Sequence, residues 1–138
     1  MVTGDWFVEK VKNYFSFLID EFCYVLTDEE IVGNYYYTLS YSDGIRSVSV
    51  SYENIEDYFT TTVFILQNGA RPNYDDKTKT LHLNKLNEII RPSIKNEEVL
   101  SNNGYFKQFQ AENEFDRKLL KSAKEIRLCL KHFGEINL

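Results

Sequence analysis

A chain of 138 residues with 43% hydrophobic and 27% charged side chains is the right length for one domain, and its ten Tyr, ten Phe and one Trp supply the bulk for a real core. Six Gly and two Pro exclude collagen-like, low-complexity and linker-dominated architectures. The net charge of −5 is unevenly spread: residues 1–76 carry 13 acids against four bases, whereas residues 77–138 carry 12 bases against eight acids. The acidic half repels nucleic acid and favours a basic partner.

Chain order gives an α+β domain over residues 1–138. Phe7, Val11, Tyr14, Phe15, Leu18 and Phe22 recur at spacings of three and four, which predicts an amphipathic helix over 4–22 with Thr3 as its N-cap. Its wide aromatic stripe suits a sheet face. Cys23–Leu26 offers a short strand. Then come two alternating runs, Tyr35–Ser42 and Ile45–Tyr52, separated by Asp43-Gly44, the signature of a two-residue hairpin turn. That turn pairs Leu39 with Val48, Tyr37 with Val50 and Tyr35 with Tyr52 on one face. On the other face it pairs Ser40 with Ser47, Thr38 with Ser49 and Tyr36 with Ser51. The apolar face is expected to pack, and the serine-lined face to be exposed.

Tyr58–Leu66 reads as a further strand, so the sheet is an antiparallel β-meander of three to four strands packed on one face by the N-terminal and C-terminal helices. Residues 67–80 read as a long surface loop, a natural place for function. Leu83, Leu86, Ile89 and Ile90 predict a short helix stopping before Pro92. Residues 93–104 form an irregular passage or short helix. The closing helix starts between Tyr105 and Asn113 and carries the ridge Leu119, Ala123, Ile126, Leu130 and Phe133. Lys131 and His132 complement the negative end of its dipole, and Gly134 suits a left-handed C′ position.

Few residues suggest chemistry. His82 and His132 have no ligand-spaced neighbour, and nucleophile-elbow, phosphate-loop and His-Glu-x-x-His motifs do not occur. No catalytic residue, cofactor or metal is assigned. Cys23 and Cys129 lack zinc or redox spacing and read as two reduced core thiols. The N-terminus lacks a basic segment followed by an apolar run, and no apolar run approaches a membrane span, so a cytoplasmic protein with no membrane partner is expected. The aromatic hairpin carries only Arg46 as a base, too little charge for stacking nucleic acid. Tyr35, Tyr37, Tyr41 and Tyr52 are expected between sheet and helix, and Tyr36 on the hydroxyl face as a contact residue.

The acidic residues form the functional constellation. Asp28, Glu29 and Glu30 precede the hairpin, Glu53, Glu56 and Asp57 leave it, and the expected register puts both groups at one end of the sheet, where Asp75 and Asp76 join them. Their spacing is not that of an EF-hand loop. A docking rim for a basic protein is the sharper reading, with Tyr36 or Tyr74 as anchors.

The layout Phe17-Leu18-Ile19-Asp20-Glu21-Phe22, then Asn34-Tyr35-Tyr36-Tyr37-Thr38-Leu39-Ser40-Tyr41, then Leu130-Lys131-His132-Phe133-Gly134 resembles the small cytoplasmic immunity proteins of bacterial polymorphic toxin systems. The resemblance implies a non-enzymatic inhibitor that binds a cognate toxin domain, often a basic nuclease, through an acidic surface. Two other classes stand beside it. One is a small-molecule-binding or enzymatic domain with a pocket between sheet and helices, lined by His82 or Tyr hydroxyls. The other is a homo-oligomeric subunit self-pairing through the C-terminal helix.

Overall fold

The structure, a computed structural model, describes residues 2–135. The fold is α+β, and the chain divides into two compact units, Met1–His82 and Leu83–Leu138. The division nearly coincides with the change of charge. The first unit carries 13 acids against six bases, and the second ten bases against eight acids.

The first unit is a five-stranded antiparallel meander in sequence order, formed by β1 (Val25–Val32), β2 (Tyr36–Ser42), β3 (Arg46–Glu53), β4 (Tyr58–Ile65) and β5 (Thr80–His82). Helix α1 (Gly4–Tyr14) lies on its apolar face, where Tyr37, Leu39 and Tyr41 meet Tyr52, Val50 and Val48 across the β2–β3 ladder. Thr3 caps it by accepting from the Trp6 N–H at 3.3 Å. Gly4 is needed by proximity, since a Cβ there would lie 3.0 Å from Ile31 and 3.1 Å from Tyr37. The expected helix over 4–22 breaks instead after Tyr14, and α2 (Phe17–Asp20) follows. Phe15 and Phe17 explain the break. On one continuous helix they would point about 160° apart, yet both are fully buried with ring centroids 6.0 Å apart.

The β2–β3 register is shifted by two residues from that of a two-residue turn: Leu39 pairs with Val50, Tyr37 with Tyr52 and Ser40 with Ser49. Local hydrogen bonds set this longer loop. The Asp43 carboxylate accepts from the Ile45 and Arg46 N–H groups, both at 2.9 Å, while Ser42 Oγ donates to the Arg46 carbonyl at 2.8 Å and accepts from Gly44 at 3.0 Å. A shift of two preserves which side chains share a face, so apolar still meets apolar and hydroxyl meets hydroxyl. It leaves Tyr35 outside the ladder and exposed, not packed under the helix.

Two other sheet expectations are corrected. The strand before the hairpin is eight residues long and contains Asp28, Glu29 and Glu30, because an edge strand exposed along its length tolerates acids that a central strand would not. The serine-lined face is not exposed throughout: Thr38, Ser40, Ser42, Ser47 and Ser49 are buried. These short side chains hydrogen-bond one another, as in Ser40 to Ser49 at 3.2 Å and Thr38 with Ser51 at 2.8 Å.

In the second unit, α3 (Leu83–Ile90) stops before Pro92 as expected, α4 (Asn96–Tyr105) occupies the passage of unsettled structure, and α5 (Glu114–Lys131) closes the chain. Asn113 caps α5 by accepting from the Asp116 N–H at 2.9 Å, and buried Asp116 accepts from the Glu112 N–H at 2.9 Å. His132 ends α5 and pairs with Glu98 at 2.7 Å. Gly134 is not left-handed. It sits in a 3₁₀ turn, Phe133–Glu135, which keeps Phe133 buried. The ridge Leu119, Ala123, Ile126 and Leu130 is buried.

Both cysteines are free, but only Cys129 is a core thiol; Cys23 is exposed at a backbone φ of 60°. Burial, reinforced by Glu125, pushes the Cys129 thiol up to about 12. One equivalent of thiol is therefore expected to react with a disulfide reagent at pH 8 in the native protein, and two after denaturation. Two fast native equivalents would contradict this placement of Cys129.

Candidate functional site

The strand pairing places Tyr36, Thr38 and Ser40 of β2 beside Glu53, Ser51 and Ser49 of β3, and those beside Tyr58, Thr60 and Thr62 of β4. This face holds an open groove of about 260 Å³. Its floor is hydroxyl-bearing, contributed by Ser49, Ser51, Thr60 and Thr62. Tyr36, Tyr58 and Tyr74 stand at its walls, and the last two are each 57% exposed.

Tyr74 arrives from the segment between β4 and β5. A turn at Asn68 and Gly69, both with positive φ, is closed by the Gln67 and Ala70 backbones at 2.8 and 3.0 Å. It sends Arg71 back over the sheet, where Nη2 donates to Ser40 Oγ at 2.7 Å and the guanidinium lies 4.8 Å from the Phe64 ring centroid. Pro72 is buried behind it. Farther along, Asp76 accepts from the Thr78 N–H at 3.0 Å and hydroxyl at 2.6 Å, which holds its carboxyl below the usual range. Its role is to shape the loop, and Asp75 lies exposed beside it.

Tyr36, Glu53 and Tyr74, all expected at a partner-binding surface, therefore line one groove. The acids do not gather at one end of the sheet. Asp28, Glu29 and Glu30 run along the middle of edge strand β1, opposite Ser40, Leu39 and Thr38. Alternation splits them: Asp28 and Glu30 share the hydroxyl face, whereas Glu29 turns to the helix side and pairs with Lys12 at 2.7 Å. Glu53, Glu56 and Asp57 do lie at the end away from Asp43. There Glu53 accepts from the Ile55 N–H at 2.8 Å and from the Glu56 N–H at 3.2 Å. Asp57 accepts from the Tyr52 hydroxyl at 2.6 Å. Burial first, and then Asp57, push the Tyr52 phenol up to about 12. Among the described residues no three His, Cys, Asp or Glu side chains gather as a metal site.

Sequence reasoning missed Arg71 and Tyr58 as neighbours of this face, and offered His82 only for a pocket between sheet and helices. His82 pairs with Thr62 in the β4–β5 ladder, with Nδ1 3.1 Å from the Thr62 hydroxyl and Nε2 3.4 Å from the Tyr74 hydroxyl. The alternation Tyr58, Thr60, Thr62, Phe64 carried a signal, since it extends the hydroxyl face by one strand. Arg71 carried none, because its position depends on a turn and not on a period. No helix among the described residues is long and apolar enough to cross a membrane. Comparison of the chain with family models, curated proteins and solved structures gives no match.

Proposed function

We propose that the sheet unit is a non-enzymatic protein-binding domain whose hydroxyl face receives a basic partner. The observation that carries this reading is the convergence of three tyrosine walls, Tyr36, Tyr58 and Tyr74, on a face that also bears Asp28, Glu30 and Glu53. Aromatic side chains with a polar tip are the usual anchors of an interface, and the surrounding acids select and accelerate a cationic partner. The unit's 13 acids against six bases extend that field beyond the groove. In its specific form the reading is an immunity protein that neutralises a basic, nuclease-like toxin domain.

A photo-crosslinking residue at Tyr58 or Tyr74, with Leu100 in the second unit as control, tests the surface in lysate of the source cell. The expected result is one basic protein crosslinked from positions 58 and 74 and not from 100, lost at high salt. Charge reversal at Asp28→Lys and Glu30→Lys is expected to slow association with that protein about tenfold or more at low salt and to leave the fold intact. Equal capture from all three positions, or unchanged association kinetics, rejects the proposal.

A second reading rests on the same groove. The tyrosine hydroxyls, Arg71 and the Thr62–His82 contact suit a small polar ligand. A small molecule released when the purified protein is denatured would favour it over a protein partner.

A further inference from the structure

The helical unit has a cavity of its own, of about 280 Å³, between α3, α4 and α5. Three cations border it: Arg91 just after α3, and Lys121 and Lys124 one turn apart on α5. Among the described residues none of the three is within ion-pair distance of a carboxylate. Three like charges around one concavity repel one another, and such a cluster stabilises an anion that enters it. Val99 and Leu128 add an apolar wall, and Asn103 a carboxamide.

One acid, Glu125, stands among them. It is held by Asn87, whose Nδ2 donates to Glu125 Oε2. Burial raises its carboxyl above the ordinary range, and Lys121 and Arg91 pull it part of the way back. An ion with one negative charge among three cations leaves a positive surplus, and that surplus is what a dianion would neutralise.

We propose that this cavity binds the phosphate group of a small phosphorylated metabolite, with Arg91, Lys121 and Lys124 on the phosphate oxygens and Val99 and Leu128 against its carbon body. A guanidinium and two ammonium groups supply donors directed at phosphate oxygens, and charge-assisted hydrogen bonds are the strong ones. The apolar wall and the volume distinguish a phosphorylated organic molecule from free phosphate, for which most of the cavity would be surplus.

Calorimetric titration of the full chain at low salt tests the assignment, using inorganic phosphate, ribose 5-phosphate, a nucleoside 5′-monophosphate and a short DNA duplex as separate probes. At least one organic phosphate is expected to bind saturably and more tightly than inorganic phosphate. Lys121→Met with Lys124→Met is expected to weaken it at least about tenfold. Glu125→Gln is expected to act in the opposite sense and tighten it several-fold, because it removes the one repulsive charge and keeps the side chain's size. These opposite signs separate an electrostatic site from general damage, and circular dichroism of each variant confirms the fold. Equal affinity for inorganic phosphate, binding of the duplex alone, no saturation by any probe up to about 10 mM, or the same effect from both variants would each overturn it.

Discussion

Replacement of Phe7 by alanine is expected to destabilise the sheet unit by about 3–5 kcal/mol, the cost of emptying a well-packed aromatic site. Phe7 has no exposed surface, and its ring lies 5.7 Å from that of Tyr37 and 6.3 Å from that of Tyr52. It therefore ties α1 to the β2–β3 ladder at the pair Tyr37–Tyr52. Aromatic contacts of this kind add about 0.5–1.5 kcal/mol beyond area burial. Phe7→Leu retains most of the volume and is expected to recover more than half of the loss. Denaturant titration measures both, and hydrogen exchange localises them, with protection lost first in β2 and β3. A Phe7→Ala loss below about 1 kcal/mol would mean that α1 does not anchor this face.

The period-2 alternation of residues 35–52 was enough to assign every ladder residue to its face, because any even shift in register leaves the faces unchanged. It was not enough to fix the register. Asp43-Gly44 does mark the turn, but the Asp43 carboxylate, by accepting from two successive backbone N–H groups, stabilises a four-residue loop in place of two. The break between Tyr14 and Phe17 is a tertiary effect of the same kind. Helical spacing read the stripe correctly, and the need to bury two aromatics two positions apart overrode it. Strand β1 was underread because Asp28-Glu29-Glu30 argues against a strand on propensity, and nothing local says that the strand will lie on an edge.

The candidate groove was half legible. Tyr36 follows from strand parity, Glu53 from its place where the chain leaves the hairpin, and Tyr74 from its place in a long polar loop. What brings Tyr74 to them is the Asn68-Gly69 turn, a hairpin signal that stood in the sequence after the strand Tyr58–Leu66 but before a segment with no alternating run. The burial of the hydroxyls on its floor was not legible, since serine and threonine alternation reads as a wet face. Here short side chains sit between taller neighbours, Tyr36, Tyr58 and Phe64, with Arg71 laid over Ser40, and shielding follows from height and position more than from polarity.

Asn102→Ala is expected to cost the helical unit about 3 kcal/mol, large for the loss of one small polar side chain. Asn102 is 1% exposed. Its Oδ1 accepts from Arg127 Nη1 at 2.7 Å and its Nδ2 donates to the Lys124 carbonyl at 3.0 Å, so one carboxamide on α4 is bonded to α5 at two points. Arg127 is itself buried, its guanidinium 4.1 Å from the Tyr105 ring centroid. Alanine at 102 removes an acceptor from a buried cation, and the lost solvation of that cation weighs more than the bond itself. The double variant Asn102→Leu with Arg127→Met replaces polar with apolar on both sides and is expected to be markedly more stable than Asn102→Ala. A double-mutant cycle by denaturant unfolding reads the coupling. Additive losses would show that Arg127 draws its stability from Tyr105 and its other contacts, and that the α4–α5 link through Asn102 contributes little.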